Sequence, residues 1–177
     1  MYRRCIMMKL PMIIIALFAV FALMPVYAQE AEHINVVFNN FPWGTSLKDF
    51  KAKMGEPVNV ENNNGLQSLV YDNVNMSGYP AFMVAYFSPN GLQGGTYYFK
   101  TKSVDELMRC YTRVQAELRA AYGPTLLYES LLREMRVYET SWNFPSGYVY
   151  LKINTRWLDE PVTLWYSSPE LTKMLRQ

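Results

Sequence analysis

The chain has 177 residues, half of them hydrophobic and 15% aromatic, and a formal net charge of +2. The basic excess sits at the N-terminus: residues 1–28 carry Arg3, Arg4 and Lys9 with no acidic residue, which leaves 14 Lys plus Arg against 15 Asp plus Glu, net −1, in residues 29–177. A body of that charge with no basic run excludes an electrostatic nucleic-acid or anionic-membrane binder, and 149 residues are enough for one domain with its own core.

Taken in order, the charged start is followed by an unbroken apolar run, Met12 to Met24, and then by Val26-Tyr27-Ala28. This is the pattern of a secretory signal peptide, with cleavage expected between Ala28 and Gln29. Thirteen apolar residues rise only about 20 Å as a helix, against a hydrocarbon core of about 30 Å, so no integral membrane segment is expected after cleavage. Cys5 precedes the apolar run and leaves with it. Cys110 is then the sole thiol, which forbids an internal disulfide and is expected to serve as a small core residue. The address implied is the periplasm of a Gram-negative bacterium, or the exterior.

A short strand is expected at Val36 to Phe38. Phe41-Pro42-Trp43-Gly44-Thr45-Ser46 then sets a turn and a helix cap before Leu47, Phe50 and Met54, with Gly55 and Pro57 as the stop. Asn62-Asn63-Asn64-Gly65 marks a loop. Strands follow at Leu69–Val74, Ala81–Phe87 and Leu92–Phe99, the last two joined by Pro89-Asn90-Gly91. Gly91, Gly94 and Gly95 fit turns and bulges rather than a phosphate loop, since no strand-to-helix junction surrounds them. Ser103 and Glu106 form a capping box for a five-turn helix whose buried stripe is Val104, Leu107, Tyr111, Val114, Leu118 and Tyr122. Its other face, Asp105, Arg109, Arg113, Gln115 and Arg119, is expected to be solvated. Three more strands are predicted at Arg136–Trp142, Tyr148–Asn154 and Val162–Tyr166, with turns at Pro145-Ser146-Gly147 and Leu158 to Pro161, and a short helix at Pro169–Leu175.

A shift of 67 residues lays the second strand set on the first without a gap. Val70-Tyr71-Asp72 meets Val137-Tyr138-Glu139. Phe82, Val84 and Tyr86 meet Val149, Leu151 and Ile153; Thr96, Tyr98 and Phe99 meet Thr163, Trp165 and Tyr166. The expected architecture is therefore α+β in two layers, an antiparallel sheet with helices on one face, built from tandem α-βββ repeats over residues 41–100 and 101–167 within a single domain, 29–177. The alternation would turn Phe82, Val84, Tyr86, Val149, Leu151 and Ile153 toward the helices. Met83, Tyr148, Tyr150 and Lys152 would lie on the other side.

The stretch from Phe41 to Ser46, continued by Leu47-Lys48-Asp49-Phe50-Lys51-Ala52-Lys53-Met54-Gly55, resembles the opening of many small secreted bacterial proteins with a Trp-Gly-Thr-Ser helix entrance. In layout the duplicated plan also resembles the β-lactamase-inhibitor-protein fold and the small lipoprotein of the outer-membrane β-barrel assembly machinery. It differs from the former in lacking disulfides and from the latter in lacking a lipidation cysteine. Neither resemblance carries a functional residue over.

Chemistry-bearing motifs are scarce. His33 is the one histidine, placed in the leader, so a Ser-His-Asp or Cys-His machine has no base on the scaffold. One Cys and one His give no transition-metal site, and no cofactor is expected. Asp72 and Glu139 occupy matching places in the repeat, where a hydrolytic carboxylate pair would need them close together. The abundant resource is aromatic: 23 of residues 29–177 are Phe, Trp or Tyr. Tyrosine combines a large apolar face with one polar tip. The expected function is a non-enzymatic interaction module holding another envelope protein around Met83, Tyr148, Tyr150 and Trp165. The alternatives are a carrier of a small apolar ligand between sheet and helices and, more remotely, a carboxylate-dependent hydrolase.

Overall fold

A computed structural model describes residues 34–63, 65–124, 137–155 and 162–175. The expected export segment with its expected cleavage between Ala28 and Gln29, His33 and the expected turn from Leu158 to Pro161 lie outside the described residues.

The first helix, α1 (Leu47–Met54), forms where the sequence places its cap. The Ser46 hydroxyl accepts from the Asp49 amide at 3.1 Å and donates to the Asp49 carboxylate at 2.7 Å. Gly55 stops the helix at φ +82°, a left-handed value that a β-carbon would disfavour. The helix is docked by Phe50, which is wholly buried with ring centroids 4.4 Å from Phe41, 5.3 Å from Phe87 and 6.0 Å from Tyr71. Helix α2 (Val104–Tyr122) starts on Ser103, whose hydroxyl accepts from the Glu106 amide, and it buries Leu107, Cys110, Tyr111, Val114 and Leu118. Burial pushes the Cys110 thiol up to about 12, the charge of Glu106 adding to it, so the thiolate needed for reactivity is scarce at neutral pH. On the outer side of α2, Asp105, Arg109, Arg113 and Arg119 are exposed as expected. Gln115 is not: its amide donates to Thr140 at 2.8 Å and to Tyr111 at 3.3 Å, joining the helix to the sheet.

The sheet has seven antiparallel strands: β1 (Asn59–Asn63), β2 (Leu66–Met76), β3 (Tyr79–Ser88), β4 (Gly91–Phe99), β5 (Val137–Phe144), β6 (Gly147–Asn154) and β7 (Thr163–Ser167). They lie in the order β1-β2-β3-β4-β7-β6-β5. With α1 and α2 packed on it, this is an α+β two-layer fold. Strand β1 replaces part of the expected loop around Asn62, because Gly65 turns the chain tightly enough for Asn59–Asn63 to pair with β2. Conversely, Val36 to Phe38 forms no strand. Phe38 and Phe41 make a single bridge around Asn39 and Asn40, both at positive φ.

The strand order is mirrored about the β4–β7 pair, with β2-β3 on one side and β5-β6 on the other. Within that central pair the 67-residue offset preserves the faces: Tyr97 and Leu164 are Cα partners, both buried, and Thr96 and Tyr98 share the opposite face with Thr163 and Trp165. One strand outward it fails. Met83 pairs with Tyr97 and Leu151 pairs with Leu164, so Met83 stands where Leu151 stands, not where Tyr150 does. The cause is a bulge. Tyr86 pairs with Gly94 and Phe87 with Leu92, leaving Gln93 as an extra residue. A second irregularity, between Tyr71 and Val74, adds another. Each extra residue reverses the side-chain alternation relative to an ungapped alignment.

The face assignment of β3 is therefore corrected. Ala81, Met83, Ala85 and Phe87 point into the core with Val149, Leu151 and Ile153 of β6, while Phe82, Val84 and Tyr86 lie on the other side. The inward residues form one buried cluster with Phe38, Phe50, Leu107, Val114, Trp142 and Tyr166. Helix α3 (Pro169–Met174) closes one end of the sheet. Its Leu171 lies where a β-carbon on Gly94 would project, on the face that carries Tyr86.

Candidate functional site

The face opposite α1 and α2 is built from alternate residues of six strands. Across its middle, Val70, Val84, Thr96, Trp165, Tyr150 and Ser141 follow one another in register from β2 to β5. On the α3 side of that row come Ser68, Tyr86, Gly94, Ser167, Tyr148 and Asn143; on the other side come Phe82, Tyr98, Thr163, Lys152 and Glu139. Of the four residues expected at a binding site, Tyr148, Tyr150 and Trp165 are brought together here. Met83 is not. It is fully buried beneath the sheet because the bulge at Gln93 turns it toward the helices.

The aromatic groups form two contacting pairs. Tyr86 and Trp165 have ring centroids 5.3 Å apart, and Tyr148 and Tyr150 stack at 6.2 Å with an interplanar angle of 15°. Tyr150 and Trp165 are direct cross-strand neighbours, which links the pairs into one band spanning β3 to β6. All four side chains are half-buried. The Tyr86 hydroxyl lies 3.3 Å from the Thr96 hydroxyl, and burial raises its ionisation to about 12. Burial also holds Tyr150 well above an ordinary phenol, with a hydrogen bond to Glu139 and that residue's charge acting in the same direction. Both remain neutral hydroxyls at physiological pH.

Charge gathers at the end of the strands away from α3. Lys100 bonds the Asp72 carboxylate and lies 3.9 Å from the centroid of Phe82, an exposed ring at 41%. Lys100 keeps Asp72 below the usual carboxylate range. On the far side Glu139 and Lys152 are cross-strand partners. The four aromatic residues themselves have apolar faces, polar tips and no charge, with Glu139 bonded to Tyr150 at their margin, so they offer area and hydrogen bonds to a partner.

The carboxylates proposed as a hydrolytic pair are far apart. Asp72 is on β2 and Glu139 on β5, with four strands between. At about 4.8 Å per strand that is about 24 Å, whereas carboxyl pairs that cleave a glycosidic bond stand about 5–9.5 Å apart. Among the described residues no group of three or more His, Cys, Asp and Glu is placed to hold a metal, and no helix is long and apolar enough to cross a membrane.

Sequence reasoning missed Tyr86 and Phe82 as members of this face. The signal was present in Gln93-Gly94-Gly95: a bulge there shifts the alternation of β3 relative to β6 by one residue.

No protein-family model matches the chain, and no curated protein matches it. Among solved structures it is similar to an extracellular protein containing an SCP domain from Bacillus anthracis str. Ames, with a TM-score of 0.44 and 13% identity. The match covers 78% of this chain and 49% of that one. At that level of similarity no residue, activity or partner is carried across.

Proposed function

We propose that the chain is exported to the periplasm and acts there as a non-enzymatic interaction module, its open sheet face holding another envelope protein. The export signal over residues 1–28 supports the address. The observation that carries the function is the uncharged band of Tyr86, Trp165, Tyr150 and Tyr148, half-exposed on the side of the sheet away from α1 and α2. Aromatic side chains of this kind lose little conformational entropy on docking and dominate the energetics of interfaces. A sheet spanning seven strands gives them a broad base, which suits a protein surface better than a small molecule. The proposal stands on this face and takes nothing from the resemblance in layout to the inhibitor fold or the assembly lipoprotein.

The carrier alternative asks for a pocket between sheet and helices, where the described residues instead form the continuous buried cluster around Phe38, Phe50, Met83 and Leu151. The open face is the better-supported site. Affinity capture from an envelope extract of the host is expected to recover a partner with the unaltered protein and to lose it by about thirtyfold or more with Tyr148→Ala and Tyr150→Ala combined, a loss of at least about 2 kcal/mol. Retention of the partner by a folded double variant would remove this face as the site.

A further inference from the structure

A second region has the makings of a binding site and does not involve the aromatic face. The start of α1, the β1–β2 hairpin and the β3–β4 turn line an open cleft of about 640 Å³, inside the range of about 300–1,000 Å³ typical of small-ligand sites. Its walls are tied together by the backbone. Gly44 N–H donates to Leu92 O and Leu92 N–H to Thr45 O, both at 2.9 Å. Gly91, at φ +97°, sits so close to Gly44 and Thr45 that a β-carbon would overlap their carbonyl groups. Two of the three walls, the α1 entrance and the β3–β4 turn, are thus fixed against each other before any ligand binds.

Among the described residues its lining contains no charged side chain. It does contain amides and hydroxyls with unused capacity. The side chains of Asn62, Asn63 and Gln67 make no hydrogen bond among the described residues, and Asn62 and Gln67 are cross-strand partners on the same face as Phe87. Ser88 Oγ accepts from the Asn90 amide at 3.1 Å, which leaves its O–H to donate. The Asn90 Nδ2 donates to Glu170 at 3.2 Å, which fixes the side chain and leaves its carbonyl oxygen to accept. Each amide presents a donor and an acceptor side by side. An ionic ligand would lose its hydration here without meeting a countercharge, and a purely apolar one would strand the amides. A ligand of paired donors and acceptors with apolar C–H faces fits both, the faces resting on Leu47, Leu66 and Pro89. A peptide would be held chiefly through a main-chain ladder, whereas this lining offers side-chain amides.

We propose that this cleft binds the neutral end of a glycan. The site is independent of the open face, so either can fail alone. The test is a titration of uniformly ¹⁵N-labelled exported protein with N,N′-diacetylchitobiose, with maltose and with trialanine, followed by amide chemical shifts. Saturable shifts at Asn62, Gln67, Ser88 and Asn90 are expected with at least one disaccharide and not with the tripeptide. Asn62→Ala and Gln67→Ala are each expected to weaken that binding about fivefold, with the spectrum otherwise unchanged, and Tyr150→Ala to leave it as it was. The proposal is overturned if neither disaccharide gives saturable shifts, if trialanine produces the same ones, or if the shifts fall outside the cleft.

Discussion

Phe38→Ala is expected to cost about 3–5 kcal/mol of folding stability, a large share of the 5–15 kcal/mol of an ordinary domain. Phe38 precedes the first helix in a segment that local pattern makes unremarkable, yet it is fully buried, with ring centroids 5.2 Å from Tyr97 and 5.7 Å from Tyr166. Its ring lies directly over Gly95 and fills the space a β-carbon there would take. Gly95 has no left-handed φ, so alanine at that position is refused by packing and not by the backbone. Gly95→Ala should therefore cost about 2–3 kcal/mol by itself. In the Phe38→Ala background the added methyl enters the vacated space, and the two losses should combine to at least about 1 kcal/mol less than their sum. Urea unfolding of the four proteins measures this, and simple additivity would show that the two residues do not share one space.

Alkaline pH should unfold the domain over a defined window. Burial raises Tyr97 and Tyr166 above the ordinary phenol value of 10.0, and raises Tyr86 and the Cys110 thiol to about 12. A group whose folded value lies above its unfolded value contributes stability that is complete below the unfolded value and lost as pH rises through the folded one. The urea midpoint should therefore hold from pH 7 to about 8.5, begin to fall as the unfolded-state thiol and then the tyrosines ionise, and drop steeply between about pH 10 and 12. Each unit of difference is worth about 1.4 kcal/mol for a fully buried group and less for the half-exposed Tyr86. Tyr97→Phe removes one such group and should make the decline shallower. A decline equally steep in that variant would mean that Tyr97 does not titrate in the way its burial implies.

The elements of the fold were largely legible in the sequence, because caps and apolar spacing act locally: Ser46 and Gly55 bound α1, Ser103 and Gly123 bound α2, and Pro89-Asn90-Gly91 joins β3 to β4. What the pattern did not carry was phase. A strand buried on one side needs only alternation, and both sets on β3, Phe82-Val84-Tyr86 and Met83-Ala85-Phe87, contain large apolar groups. Their direction depends on one extra residue at Gln93 and on which strand pairs with β4, and the latter is a contact with Trp165 and Tyr166 about 70 positions away. The same long-range pairing decides the candidate site. Tyr148, Tyr150 and Trp165 could be placed together from their own strands, whereas Tyr86 joins them only through the bulge, and the cleft beside α1 depends on the β1–β2 hairpin that polar Asn62 and Asn63 disguised as a loop.

Photo-crosslinking in the host envelope reports whether the aromatic band is a protein-binding face. A benzophenone amino acid placed at Trp165 in the middle of the band is compared with one at Arg109, exposed on the outer side of α2. A discrete adduct to one envelope protein from position 165, absent from position 109 and diminished when Tyr150→Ala is added, is the expected result. Identical adducts from both positions, or none from position 165 in a folded and exported protein, would contradict it.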